Sequence, residues 1–337
     1  MIKGHGDDIY TCRQPIKYNF SSNIYAMIDN ADLKHYLSCS LDIINNYPEP
    51  EPFALETKLS GRLGISQSQV CVTNGATDAI YMLAKAFGNN SSSILIPTFS
   101  EYEDACTMNG HHVSRISSIE EVTDDMQTVW ICNPNNPTGD VYRNDIIKNM
   151  VNGHPRTIFI IDQAYEQFTS EEVLTAKDAV QWTNVILIHS MTKEYAIPGL
   201  RLGYITACKE IIDKVNRYRT PWSVNSLAII AGGYLIDRQK AYFDKKSYMD
   251  EAQWLRMEID KLSDKIEALP TKTNFMLVRL LDAKASDLKE FLITKGILIR
   301  DASNFAGLDS RYFRIAAQSH QSNVILINAL KEWLQRY

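Results

Sequence analysis

Along the first two-thirds of the chain, short apolar runs alternate with stretches of helical periodicity. Val70-Cys71-Val72, Ser93 to Ile96, Thr128 to Cys132, Thr157 to Ile161 and Val185 to Ile188 have the length of strands. Thr157 to Ile161 is the most apolar and β-branched of them, the composition of a strand buried on both faces. Between these runs, Leu33, Leu37, Leu41 and Ile44 predict a helix that Tyr47-Pro48-Glu49-Pro50 breaks, and a second helix over Ala54 to Leu63 stops at Gly64. Ala79, Ile80, Leu83, Ala84 and Phe87 mark a third, ended by Gly88. Strand, loop and helix repeated from about residue 30 to 236 predict an α/β domain with a mainly parallel sheet covered on both faces. From Asp237 to Ala268 the chain is charged and reads as one long connecting helix. Beyond Pro270, strands are predicted over Phe275 to Leu280, Ile297 to Arg300 and Tyr312 to Ala316. Helices are predicted over Ser286 to Lys295 and from Ser322 onward, which makes a smaller α+β lobe. The expected organisation is an irregular arm (1–30), a large domain (31–236), and a connecting helix with a small C-terminal domain (237–337).

Composition narrows the class. A chain of 337 residues has room for a large core and two domains. The net charge of -5 argues against nucleic acid as the main partner. The start, MIKGHGDDIY, has no apolar signal core, and no apolar run approaches the roughly 18 residues of a membrane span. The six cysteines are scattered without a C-x-x-C pair, as expected for reduced thiols of a cytoplasmic protein and not for a metal site.

The chemistry gathers where the strands end. Val185 to Ile188 runs into Ser190-Met191-Thr192-Lys193, then a Pro198-Gly199 turn and Arg201. A lysine in that position can form a Schiff base with an aldehyde, and the serine and arginine can hold a phosphate beside it. An aldehyde joined to a phosphate describes pyridoxal 5'-phosphate (PLP), although a lysine after a strand can also be simply solvated. Thr73-Asn74-Gly75-Ala76-Thr77-Asp78 joins a strand to a helix N-terminus through a tight glycine turn, a phosphate site or only a capped helix. Asn133-Pro134-Asn135-Asn136-Pro137-Thr138-Gly139 continues neither strand nor helix and sits where open α/β sheets bind ligands. Asp162 ends the most apolar strand and needs a positive partner, which a protonated pyridine nitrogen or a nearby arginine would supply. Phe99 and Tyr102 are candidates to lie on an aromatic cofactor.

The asparagine-proline loop, Asp162-x-x-Tyr165, and Ser190-x-x-Lys193 with Arg201 together resemble the fold-type I PLP enzymes of the aminotransferase class. A narrower resemblance, to the threonine-phosphate decarboxylases of cobalamin biosynthesis and their relatives the histidinol-phosphate aminotransferases, covers essentially the whole chain. It is carried by His5-Gly6, Phe20-Ser21-Ser22-Asn23, Tyr195 to Arg201, Pro221 to Asn225 and ILIRDASNFAGLDSRYFRIA from Ile297. The resemblance implies that Lys193 carries PLP, Asp162 pairs with its ring nitrogen, Tyr165 and Asn136 bond its phenolic oxygen, and Tyr102 stacks on its ring. Ala76, Thr77, Ser190 and Arg201 would hold its phosphate, with Tyr47 lent by a second subunit of a homodimer. For the substrate it implies His5, Gly6, Asn23, Asn136, Arg300 and Arg314.

The reaction implied is decarboxylation of O-phospho-L-threonine to (R)-1-aminopropan-2-ol O-phosphate and carbon dioxide, with Lys193 returning a proton to Cα. The alternatives are an aminotransferase acting on histidinol phosphate or a similar phosphorylated amine, and a non-catalytic sensor on the same fold. Two departures stand out. Asp7 and Asp8 follow Gly6 where relatives usually continue with glycine, and Gln318 stands where close relatives often place another arginine.

Overall fold

The structure, a computed structural model, describes residues 6–25, 27–238 and 244–336. In chain order the strands of the first part are β1 (Tyr18–Asn19), β2 (Val70–Thr73), β3 (Ser91–Leu95), β4 (His112–Ile116), β5 (Thr128–Cys132), β6 (Ile158–Asp162), β7 (Val185–Ser190) and β8 (Gly203–Ala207). The strands β2 to β8 form a seven-stranded sheet in the order β2-β8-β7-β6-β5-β3-β4. All its pairings are parallel except those of β8, which runs antiparallel to both β2 and β7.

The apolar runs explain the layering. Val129, Ile131, Phe159, Ile161, Val185 and Leu187 pack into one buried cluster with Ile147 and Val151. The alternate residues Trp130, Ile160, Ile186 and Ile188 pack into another with Ala79, Ile80 and Leu83. With side chains alternating across the strand, both faces of the sheet are covered.

Three early helices flank this sheet: α1 (Ala31–Cys39), α2 (Phe53–Leu63) and α3 (Ala76–Ala86). The helix expected through Ile44 ends at Cys39, and Leu41–Asn45 continues as a 3-10 turn. Helix α2 stops at Gly64, whose φ of 65° gives the left-handed cap that glycine adopts without strain.

The long connecting helix is a correction. Helices occupy Ser226–Asp237 and Lys245–Asp260, and the sequence then forms strand β9 (Ile266–Ala268). Ile266 and Ala268 face the interior as partners of Leu280 and Val278, and that pairing overrides a helical-looking stretch. The remaining strands are β10 (Phe275–Leu280), β11 (Ile297–Leu298), β12 (Arg300–Asp301) and β13 (Tyr312–Ala316). A four-stranded sheet has the order β12-β13-β10-β9, and β11 leaves it to pair in parallel with β1. The arm is therefore not irregular throughout. Phe20 is fully buried, its N–H donates to Leu298 O at 2.8 Å, and its carbonyl accepts from Ala316 N at 2.9 Å. These bonds fasten the arm to the C-terminal lobe with its next residues facing the large sheet. Among the described residues no helix is long and apolar enough to cross a membrane, and no cluster of side chains is arranged to hold a metal ion.

Candidate active site

The carboxyl ends of β2, β5, β6 and β7 meet the arm around one cavity of about 360 Å³. Its walls include Gly6, Asn23, Ala76, Thr77, Tyr102, Asn136, Asp162, Tyr165, Ser190, Lys193, Arg201 and Arg314. Most of the residues singled out in the sequence are thus in one place, although they span the chain.

An anion cradle lies on one side. Helix α3 starts at Ala76 after Gly75, whose φ is 87°. A Cβ on Gly75 would fall 2.7 Å from Nη2 of Arg201, so the guanidinium packs on bare backbone. Gly203 is equally tight: a Cβ there would lie 2.7 Å from Ala76 N. Two glycines thus let Arg201 and β8 close up beneath the helix N-terminus, where unpaired N–H groups and the helix dipole favour a phosphate. Asp78 in the first turn is turned back to accept Asn74 N at 2.9 Å.

Lys193 stands at the end of β7, on the short helical turn Met191–Glu194. Burial, with the charge of Arg314 next in weight, pushes its amine down to about 8. Among the described residues the amine has no hydrogen-bond partner. Opposite it, Asp162 is buried at the end of β6, and burial raises its carboxyl above the usual range. Its oxygens accept from Tyr102 Oη and from Ala164 N, at 2.8 and 2.9 Å. Neither donor is a cation, and Lys193 acts on this carboxylate only through its charge, which leaves room for a hydrogen-bonded cationic partner from the cavity. The Tyr102 ring is stacked on Trp130 at 5.7 Å and meets Phe99 edge-on at 5.9 Å. Tyr165 is buried against Phe275, and burial pushes its phenol up to about 12, so it remains a neutral donor.

The asparagine loop divides its labour. Asn133 is held by Tyr142, and Asn135 by Pro97, Thr98 and Thr138. Asn136 is the one that enters the cavity, where its Oδ1 accepts from Nη1 of Arg314.

Arg314, on β13, is buried and also donates Nη2 to Ser21 O at 2.6 Å. Burial, helped by the charge of Arg300, lowers it to about 10. Arg300, on β12, donates to Asn304 Oδ1 at 2.8 Å and lies over the Phe305 ring. It lines a small adjoining recess shared with Gly6, Asn136 and Arg314. Asn23 is 2% exposed with its amide beside the Tyr165 phenol, and among the described residues neither its amide oxygen nor its nitrogen makes a well-formed hydrogen bond. Buried arginines and an orphaned amide are costly unless a ligand answers them. Ser21, Asn304 and Phe305 carry no ionisable group, so nothing in their own chemistry marks them in the sequence as site residues.

Two expected site residues and one noted departure are not among these wall residues. His5 lies outside the described residues. Tyr47 is 86% exposed, away from the cavity, with its ring 5.6 Å from Trp222. Gln318 is buried but is not part of the cavity wall. Of the two arm carboxylates, Asp8 turns away to Lys289 at 2.7 Å, and Asp7 stays in the wall.

A buried amine with a lowered pKa, a buried carboxylate with no hydrogen-bonded cation, and a helix-end anion cradle in the same cavity wall match PLP group by group. The fold and site define a PLP-dependent enzyme of fold type I. The sequence pattern of Aminotransferase class I and II matches residues 15–330, and the chain belongs to that family. Threonine-phosphate decarboxylase of Salmonella typhimurium is 30% identical, over 94% of this chain and 91% of its own length. The crystal structure of L-threonine-O-3-phosphate decarboxylase from Porphyromonas gingivalis superposes with a TM-score of 0.91 at 36% identity, over 94% of this chain and 99% of that one. Histidinol-phosphate aminotransferase from Clostridium acetobutylicum gives 0.86 at 25% identity, over the same 94% and 99%.

Proposed function

We propose that this protein decarboxylates O-phospho-L-threonine to (R)-1-aminopropan-2-ol O-phosphate and carbon dioxide, a step of cobalamin biosynthesis. The observation that carries the reading is the pair of buried arginines, Arg300 and Arg314, roofed by the arm beside Lys193. Two guanidinium groups in adjoining recesses suit one small substrate with two anions, and the two threonine-phosphate decarboxylases named above support that substrate.

PLP, when bound, accepts the electron pair of the bond broken at Cα. Lys193 holds it, Asp162 keeps its ring nitrogen protonated, and Tyr165 with Asn136 bonds its phenolic oxygen. Ala76, Thr77, Ser190 and Arg201 take its phosphate, and Tyr102 lines the ring. Arg300 and the arm, with Gly6, Asn23 and His5, take the substrate phosphate, and Arg314 the carboxylate. Grip on the remote phosphate would fix the rotation of the substrate about its Cα and so select the bond that breaks. Binding energy then acts on orientation, where it raises the rate. The Lys193 amine returns a proton to Cα, and burial beneath the arm excludes water from that carbon. On this reading residues 1–30 form the arm, 31–236 the cofactor domain and 237–337 the connecting helix and small domain, with the cavity where all three meet.

We further propose a homodimer in the cytoplasm. Tyr47, Ile44, Phe53 and Trp222 are exposed at 86, 64, 63 and 52%, and Tyr47 serves the partner's phosphate cradle. The six cysteines are free thiols.

The deciding experiment follows carbon dioxide from O-phospho-L-threonine with no keto acid present. Release at a rate far above that with L-threonine supports the reading. Dependence on 2-oxoglutarate, with faster turnover of histidinol phosphate, would replace it by the aminotransferase.

A further inference from the structure

The cavity wall contains two carboxylates, and only one of them has a place in the scheme above. Asp162 lies deep, at the end of β6. Asp7 lies on the arm side, next to Gly6. Gly6 itself rests on the two arginines: a Cβ there would be 3.3 Å from Nη2 of Arg314 and 3.6 Å from Cδ of Arg300. Asp7 therefore enters the cavity at the edge of the double anion subsite.

The chain holds it there against backbone preference. Its φ is 62°, in the left-handed region that aspartate visits only with local support. That support comes from Ser21, whose Oγ accepts the Asp7 N–H at 3.0 Å, and from Asn19, whose Nδ2 donates to Oδ1 at 2.5 Å. The next carboxylate, Asp8, is drawn the other way by Lys289. Two consecutive acids are thus sorted, one outward to a lysine and one inward. Among the described residues the second oxygen of Asp7 has no donor. The charged groups around the same space are Lys193, Arg201, Arg300, Arg314 and Asp162. The charge of Asp7 works against the desolvation of the Lys193 amine.

An amino acid phosphorylated on its side chain brings two anions and one cation. Arg300 and Arg314 answer the anions. The cation has to arrive beside Lys193, where Asp162 is engaged by the cofactor ring. We propose that Asp7 is a specificity-determining residue, whose carboxylate receives the substrate ammonium beside Lys193 and selects amine-bearing phosphates over amine-free ones. The inference rests on the reading that the substrate is a phosphorylated amine.

Asp7→Asn removes the charge while asparagine keeps both the left-handed backbone and an acceptor for Asn19. Asp7→Gly removes the side chain where glycine is unstrained. The loaded enzyme is assayed for KM with O-phospho-L-threonine and for Ki with 3-phosphooxybutanoate, the same molecule without its amine. With Asp7→Asn, KM rises roughly tenfold, the scale of one charge-assisted hydrogen bond. Its kcat stays within about twofold, and Ki holds or falls because a repelling charge has gone. In the substrate-free loaded protein, the pH midpoint of the visible absorbance change moves down, because the protonated Lys193 nitrogen loses an anion. Asp7→Gly shows the same two signatures. Parallel increases in KM and Ki, or an unmoved absorbance midpoint in either variant, overturn the proposal. The absorbance test needs no substrate. If the wild-type protein turns over histidinol phosphate instead, that substrate and its amine-free counterpart replace the first pair, so failure of the decarboxylase reading is separable from failure at Asp7.

Discussion

Lys193 shows how a single residue is tuned by where the chain ends a strand. An exposed lysine is protonated to about pH 10.4 and its nitrogen is then no nucleophile. Here burial and Arg314 bring the amine to about 8. Covalent capture of PLP by cofactor-free protein should accelerate with pH around a midpoint near 8, measured as the rate of appearance of borohydride-fixable cofactor. A midpoint near 10 would mean the amine is solvated. The same shift bears on stability. The folded value lies below the unfolded one, so between them the unfolded chain binds more protons. Lys193 therefore opposes folding fully below pH 8, and the opposition fades as pH rises toward 10.4, making the cofactor-free protein more stable across that window. Lys193→Met should flatten that rise and abolish fixation. The lysine was legible in the sequence because strand, serine, lysine and arginine stand at fixed spacing. Arg314, whose charge helps to lower the lysine's pKa, was legible only through a family likeness, since nothing local distinguishes it from the neighbouring Arg311, which binds exposed Asp309.

At the scale of elements, the site depends on two backbone approaches that only glycine permits. Gly75 needs a φ of 87° and the room filled by Arg201, while Gly203 lets β8 run against the first turn of α3. Gly75→Ala should weaken cofactor retention on the order of tenfold or more while lowering the melting temperature by a few degrees, because the strain of a positive φ adds to displacement of Arg201, the arginine proposed to hold the cofactor phosphate. Retention is read by dialysis and absorbance. Retention equal to wild type would show that the guanidinium can give way without cost.

Elements with a buried face were readable in advance: β5, β6 and β7 alternate between two apolar clusters and appear where their sequences place them. Those with weaker burial were not. The edge strand β4 is mostly solvent-facing, HVSRI, and gave no apolar run. The strand β9 is only three residues long and lies at the other sheet's edge, so its pairing with β10 is invisible to local pattern. Ile297 to Arg300 looked like one strand. It divides because Ile297 and Leu298 pair with the arm, while Arg300 is drawn to β13, and that division aims Arg300 at Arg314.

At the scale of the whole molecule, one proposed site residue is left outside. Tyr47 belongs to a stretch, residues 41–53, that exposes Leu41, Ile44 and Phe53, and its ring lies 5.6 Å from that of exposed Trp222. The Trp222 backbone N–H donates to Pro50 O at 3.0 Å, which joins the loop after the helix Lys209–Asn216 to the segment bearing Tyr47. Large apolar side chains grouped at a surface mark an interface, and a two-fold interface uses the same patch on both copies. The expected outcome is a dimer by light scattering across the micromolar range. Ile44→Glu should shift it toward monomer by burying an unpaired charge, without unfolding the chain, because that side chain is exposed in the single copy. The monomer should bind PLP more weakly and lose most of its turnover, since each phosphate cradle would lack the partner's tyrosine. Tyr47→Phe should leave the dimer intact and loosen the cofactor only by the loss of one neutral hydrogen bond, about 0.5–1.5 kcal/mol. A monomer that keeps full activity would place Tyr47 outside the mechanism and leave the apolar patch in need of another occupant.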